Sequence, residues 1–147
     1  MMTPQLKPQF MLIREGPYKH DNKSYFILEP KNIIGRGDIA TLPILSLYVS
    51  RNQCELCYDE EQNKWFVKDS NSLNGTFINE KRVSSYSFEE IKIDDRLGLG
   101  ITFNSLIENV QTSNQGPDQD YFVYRLAFSY PYNGTAINSL CNDIAEM

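Results

Sequence analysis

No stretch of this chain sustains a convincing long helix. Its apolar, β-branched and aromatic residues come in short runs broken by polar turn clusters, and that punctuation restricts the fold to a stack of short strands. The runs are Phe10–Arg14, Tyr25–Leu28, Asn32–Arg36, Cys54–Tyr58, Lys64–Asp69, Thr76–Ile78 with Arg82–Val83, Glu89–Ile93, Arg96–Gly100 and Tyr121–Phe128. Within Lys64–Asp69, Trp65 and Val67 share one face, while Phe66 shares the other with Lys64 and Lys68. Residues 37–46 form a loop with an edge strand in it, and 101–108 read as a further strand before a polar loop over 109–120. Many short strands at close spacing predict an all-β antiparallel sandwich or barrel. We divide the chain into a flexible arm over 1–8, one domain over 9–129, and a tail over 130–147 that includes a short helix from Ala136.

At 147 residues the chain is long enough to bury a core, and 41% hydrophobic with 22% charged residues is globular composition. No apolar run approaches the roughly 20 residues that span a bilayer, and the first residues lack the pattern of a signal peptide. A net charge of -5 argues against a nucleic-acid groove. We therefore expect an intracellular chain with no membrane partner and no direct nucleic-acid partner. Cys54-Glu55-Leu56-Cys57 matches a CxxC string, but residues three apart on a strand point to opposite faces, so the sulfurs diverge. Neither His20 nor Cys141 completes a metal set. The lone His20 also leaves no acid–base or nucleophile triad, so no enzyme, metal or cofactor is expected.

Three polar clusters close apolar runs, where a sheet hands residues to loops at one edge. They are Gly35-Arg36, Ser50-Arg51-Asn52-Gln53, and Asp69-Ser70-Asn71-Ser72-Leu73-Asn74-Gly75-Thr76. Two guanidinium groups, a hydroxyl and an amide brought together there have the chemistry of a phosphate pocket: forked permanent charge, a short hydrogen bond, and a grip on a ligand's backbone. Each residue also has an ordinary reading, as a solvated strand end, a turn cap or a surface ion pair.

Taken in order, the clusters resemble the signature of the forkhead-associated (FHA) domain, and the resemblance runs from about Phe10 to Phe128. It implies a sandwich of two twisted antiparallel sheets whose loops at one end bind phosphothreonine in an extended peptide, without catalysis. Carried over by position, Arg36, Ser50, Arg51, Leu73 and Asn74 would meet the phosphopeptide, and Gly35, Gln53, Asp69, Gly75 and Asn79 would support the loops. The family usually has histidine where Gln53 stands, and many members have serine or threonine where this chain has Leu73. The Ser72–Gly75 string is similar to that of damage-response ubiquitin ligases and mediators. The resemblance thus implies a phosphothreonine-containing partner, DNA-damage or checkpoint signalling, and the nucleus. The alternative is a homodimeric scaffold that associates through a sheet face without phosphate, for which 12% aromatic residues leave enough surface.

Overall fold

A computed structural model describes residues 7–16, 25–112 and 121–130. The arm over 1–6, His20, Cys141 and the expected helix at 136–147 lie outside the described residues. In chain order the elements are β1 (Gln9–Glu15), β2 (Tyr25–Ile27), β3 (Lys31–Gly35), β4 (Leu42–Pro43), β5 (Cys54–Asp59) and β6 (Lys64–Asp69). Then come β7 (Thr76–Ile78), β8 (Lys81–Arg82), β9 (Glu89–Ile91), β10 (Arg96–Leu99), α1 (Phe103–Thr112) and β11 (Phe122–Ser129). They form a six-stranded sheet in the order β2-β1-β11-β10-β7-β8 and a five-stranded sheet in the order β4-β3-β5-β6-β9.

The two sheets enclose one core, because alternate residues of each strand point inward. Leu12, Leu97 and Leu126 from one sheet meet Ile34, Leu56, Val67 and Ile91 from the other, each at most 1% exposed. Burying each such side chain contributes about 1.5–3 kcal/mol. Trp65 is buried with this core and Phe66 is not, as the alternation requires. Phe10 packs edge-on against Trp65 with ring centroids 5.3 Å apart. The expected all-β sandwich is the fold observed, with one pairing of a different sense: β4 runs parallel to β3. β9 and β10 are consecutive, yet they belong to different sheets, so the chain crosses the sandwich between them.

Residues 101–108 are not a strand. Helix α1 begins at Phe103, capped by Thr102, whose Oγ1 accepts a hydrogen bond from the Ser105 N–H at 3.1 Å. Phe103, Leu106 and Ile107 recur at helical spacing, and Leu106 is fully buried. The helix folds back over its own sheet. The Ile101 carbonyl lies so close over Gly98 that a Cβ there would collide with it, and the Arg96 guanidinium sits 3.8 Å from the centre of the Phe103 ring.

Cys54 faces the core at 0% exposure, whereas Cys57 is half-buried on the opposite face of β5. Burial pushes the Cys54 thiol far above its ordinary value of 9.0, with the Asp69 carboxylate adding to the shift. A raised folded-state value makes the stabilising contribution complete below about pH 9 and steadily lost as pH rises further, because only the unfolded chain then ionises. Melting temperature measured from pH 8 to pH 10.5 should fall more steeply for the wild type than for Cys54→Ala, although the variant starts lower. Parallel curves would mean that Cys54 ionises freely in the folded protein.

Candidate functional site

The three polar clusters come together at one end of the sandwich, and backbone contacts bring them there. The Arg36 N–H donates to the Ser50 carbonyl at 3.0 Å and the Gly37 N–H donates to the Arg51 carbonyl at 3.1 Å, so the β3 end lies alongside the loop that carries Ser50 and Arg51. Gly35 is what permits this approach: a Cβ at that position would run into the Arg51 carbonyl.

Gln53 ties this loop to the other sheet. It is 0% exposed. Its Oε1 accepts from the Ser50 N–H at 2.9 Å, and its Nε2 donates to the Gly75 carbonyl at 2.8 Å and to Thr76 Oγ1 at 2.9 Å. Thr76 passes its own proton to Asp69 Oδ1 at 2.7 Å. Asp69 also accepts from the Ser72 hydroxyl at 2.6 Å and from the Ser72 N–H at 3.0 Å, while Ser72 Oγ accepts from the Gly75 N–H at 3.1 Å. Gly75 closes the loop at a φ of +89°, a conformation that strains any residue with a side chain. Ser72 and Thr76 are thus parts of the loop frame to which the sequence reading gave no role. Two hydroxyls placed three and seven residues after Asp69 are the signal that could have found them.

On this frame the exposed groups are few. Arg36 is anchored through its Nε, which donates to the Val49 carbonyl at 3.1 Å, and its two terminal nitrogens make no hydrogen bond among the described residues. Arg51 is exposed and has no side-chain partner among the described residues. Ser50 Oγ accepts from the Leu73 N–H at 2.9 Å, which leaves its own proton to donate elsewhere. Asn74 donates to the Tyr48 carbonyl at 3.1 Å, which holds its amide beside this group with the oxygen uncommitted. Leu73 is 84% exposed. The structure therefore brings together Gly35, Arg36, Ser50, Arg51, Gln53, Asp69, Leu73, Asn74 and Gly75.

Asn79 is not among them. It sits at the other end of β7, where its side chain accepts from the Arg96 N–H at 3.0 Å and shapes the β7–β8 turn at a φ of +55°. Two guanidinium groups with unpaired nitrogens and a hydroxyl with a proton to donate, on segments that backbone hydrogen bonds hold side by side, have the chemistry to accept an anion on a chain that is acidic as a whole.

Residues 32–100 match the family model described as the FHA domain. The E3 ubiquitin-protein ligase RNF8 of Bos taurus is 30% identical over 106 residues, which make up 68% of this chain and 21% of the ligase. The chain thus spans about a fifth of that relative's length. Among solved structures, the FHA domain of an Arabidopsis thaliana hypothetical protein superposes with a TM-score of 0.63 at 18% identity, covering 91% of this chain and 99% of that one. A domain solved in a study of phosphothreonine-dependent FHA domain interactions superposes with a TM-score of 0.57 at 22% identity, covering 84% of this chain and 99% of that one. At these identities the structural likeness establishes the fold alone.

Proposed function

Because this chain carries an FHA domain, we propose that it is a phosphothreonine-peptide binding module acting in phosphorylation-dependent protein–protein interaction. The observation that carries the reading is the backbone pairing that sets Arg36 against the loop of Ser50 and the exposed, unpaired Arg51, a loop held by a buried glutamine. A phosphate of charge near -2 gains charge-assisted hydrogen bonds from all three, each worth about 1.5–3 kcal/mol. Asn74 would take the ligand's backbone and set its register. The setting we infer is DNA-damage or checkpoint signalling in the nucleus. It is supported by the Ser72–Gly75 string and by the ubiquitin-ligase relative, whose catalytic activity belongs to a protein of which this chain spans a fifth.

The test is a titration of phosphothreonine peptides from pH 5 to pH 8 with solution mass measured alongside. The ligand's second ionisation near pH 6 sets the profile. Affinity should be full above that value and fall as pH drops through it, be lost for the unphosphorylated peptide, and be weaker for phosphoserine. A tight dimer that ignores phosphopeptides at every pH would overturn the proposal in favour of a phosphate-independent homodimeric scaffold.

A further inference from the structure

Of all the peptide links in the described residues, the one between Asn74 and Gly75 is the most open to spontaneous rearrangement. Among those residues no other asparagine has a glycine after it. A glycine nitrogen has no side chain beside it to obstruct its approach to the asparagine carboxamide. Asn74 is exposed, so water reaches that carboxamide. The structure nevertheless holds both reacting groups. Gly75 is buried and its N–H donates to Ser72 Oγ at 3.1 Å, while Ser72 passes its own proton to Asp69 Oδ1 at 2.6 Å. The Gly75 carbonyl is fixed by Gln53 Nε2 and by the Gly100 N–H, both at 2.8 Å. The Asn74 carboxamide donates to the Tyr48 carbonyl at 3.1 Å.

We propose that Asn74-Gly75 is a deamidation site held in check by the Ser72 hydroxyl, and that its conversion switches off the phosphopeptide site, the second half resting on the phosphothreonine reading above. In the reaction the Gly75 nitrogen gives its proton to a base and attacks Asn74 Cγ. The Cγ–Nδ2 bond breaks, ammonia leaves with a proton drawn from the solvent, and a five-membered succinimide remains. Water opens that ring at either carbonyl and leaves aspartate or isoaspartate, with no electron gained or lost. The first step needs an N–H free to ionise. Its bond to Ser72 has to break beforehand, and the Asp69 carboxylate behind Ser72 opposes a second negative charge there. Taking away the Ser72 oxygen therefore releases the nucleophile and leaves Asn74 in place. The product bears directly on the site. Asn74 and Arg36 are anchored to successive carbonyls, those of Tyr48 and Val49, so the new charge arises on the loop to which Arg36 is pinned. A carboxylate there opposes a phosphate of like charge and, unlike the amide, cannot donate to the Tyr48 carbonyl.

The test incubates the full chain at pH 8 and follows residue 74 by peptide mass, with the free peptide of residues 69–81 as the unconstrained reference. The folded chain should deamidate at least about tenfold more slowly than the peptide, since the reaction waits on local opening. Ser72→Ala should recover most of that difference, with Cys54 still unreactive to alkylation as the sign of a folded core. If Ser72→Ala also exposes Cys54, Ser72→Cys takes its place, because a thiol accepts a hydrogen bond only weakly, and about a twofold rise is then required. Asn74→Asp, which carries the product from the start, should bind a phosphothreonine peptide at least about tenfold less tightly than wild type. A folded chain that deamidates as fast as the free peptide overturns the proposal, and so does a wild-type rate in the folded Ser72 variant. Wild-type affinity in Asn74→Asp overturns the switch. A wild-type chain that binds no phosphopeptide would instead sink the phosphothreonine reading, while the masses still decide whether Ser72 guards residue 74.

Discussion

Gln53→Ala is expected to lower stability by about 3–4 kcal/mol, a fall in melting temperature of roughly 10 °C, and to abolish phosphopeptide binding in the same step. The side chain is fully buried and makes three hydrogen bonds. Its removal leaves the Ser50 N–H without its acceptor and Thr76 Oγ1 without its donor, and opens a hole between the two sheets. Gln53→His should be milder, at about 1–2 kcal/mol. A neutral imidazole can keep one acceptor and one donor but cannot serve the Gly75 carbonyl and Thr76 Oγ1 together. Thermal melts of the two variants beside a binding titration check this order. A Gln53→Ala protein that melts at the wild-type temperature would mean that the loops are held by other contacts.

Arg51→Ala should behave in the opposite way, losing on the order of 100-fold in phosphopeptide affinity while melting within about 2 °C of wild type. An exposed guanidinium without a partner contributes little to folding, whereas two charge-assisted bonds to a phosphate amount to about 3 kcal/mol, and each 1.4 kcal/mol is tenfold in affinity. Ser50→Ala should lose about tenfold and carry a small stability cost, because its oxygen also accepts the Leu73 N–H. Calorimetric titration with matched melts separates the outcomes. Unchanged affinity in Arg51→Ala would remove this residue from the site.

The strands were legible because their cause is local. Lys64–Asp69 alternates in burial along its length, and Phe10–Arg14 is a continuous apolar run of strand length whose middle three residues are buried. Helix α1 was hidden by composition: Ile101, Thr102 and Phe103 favour strands, and the spacing of Phe103, Leu106 and Ile107 is persuasive only once Thr102 is taken as a cap. The parallel β3–β4 pair left no trace in the sequence, since two residues carry no period. At the candidate site, the chemistry of Arg36, Ser50, Arg51 and Asn74 could be read from residue type and order. The atoms that hold them could not, because Gln53 bonds to Gly75 and Thr76 more than twenty residues away, one of them through a backbone carbonyl that no side-chain pattern reports.

Gln53 immediately precedes β5 of the five-stranded sheet, while Gly75 and Thr76 open into β7 of the six-stranded sheet, so the site straddles the seam of the sandwich. Arg36, Ser50 and Arg51 stand on one side of that seam, and Asn74 leads into the other. A ligand held by both groups acts as a cross-brace, and separating the sheets then requires releasing the ligand first. At a hundredfold excess over its dissociation constant such a ligand adds about 2.7 kcal/mol to the unfolding free energy. That brace bears on whichever force or protease pulls the two sheets apart, so occupancy by a partner would also govern how long the domain survives.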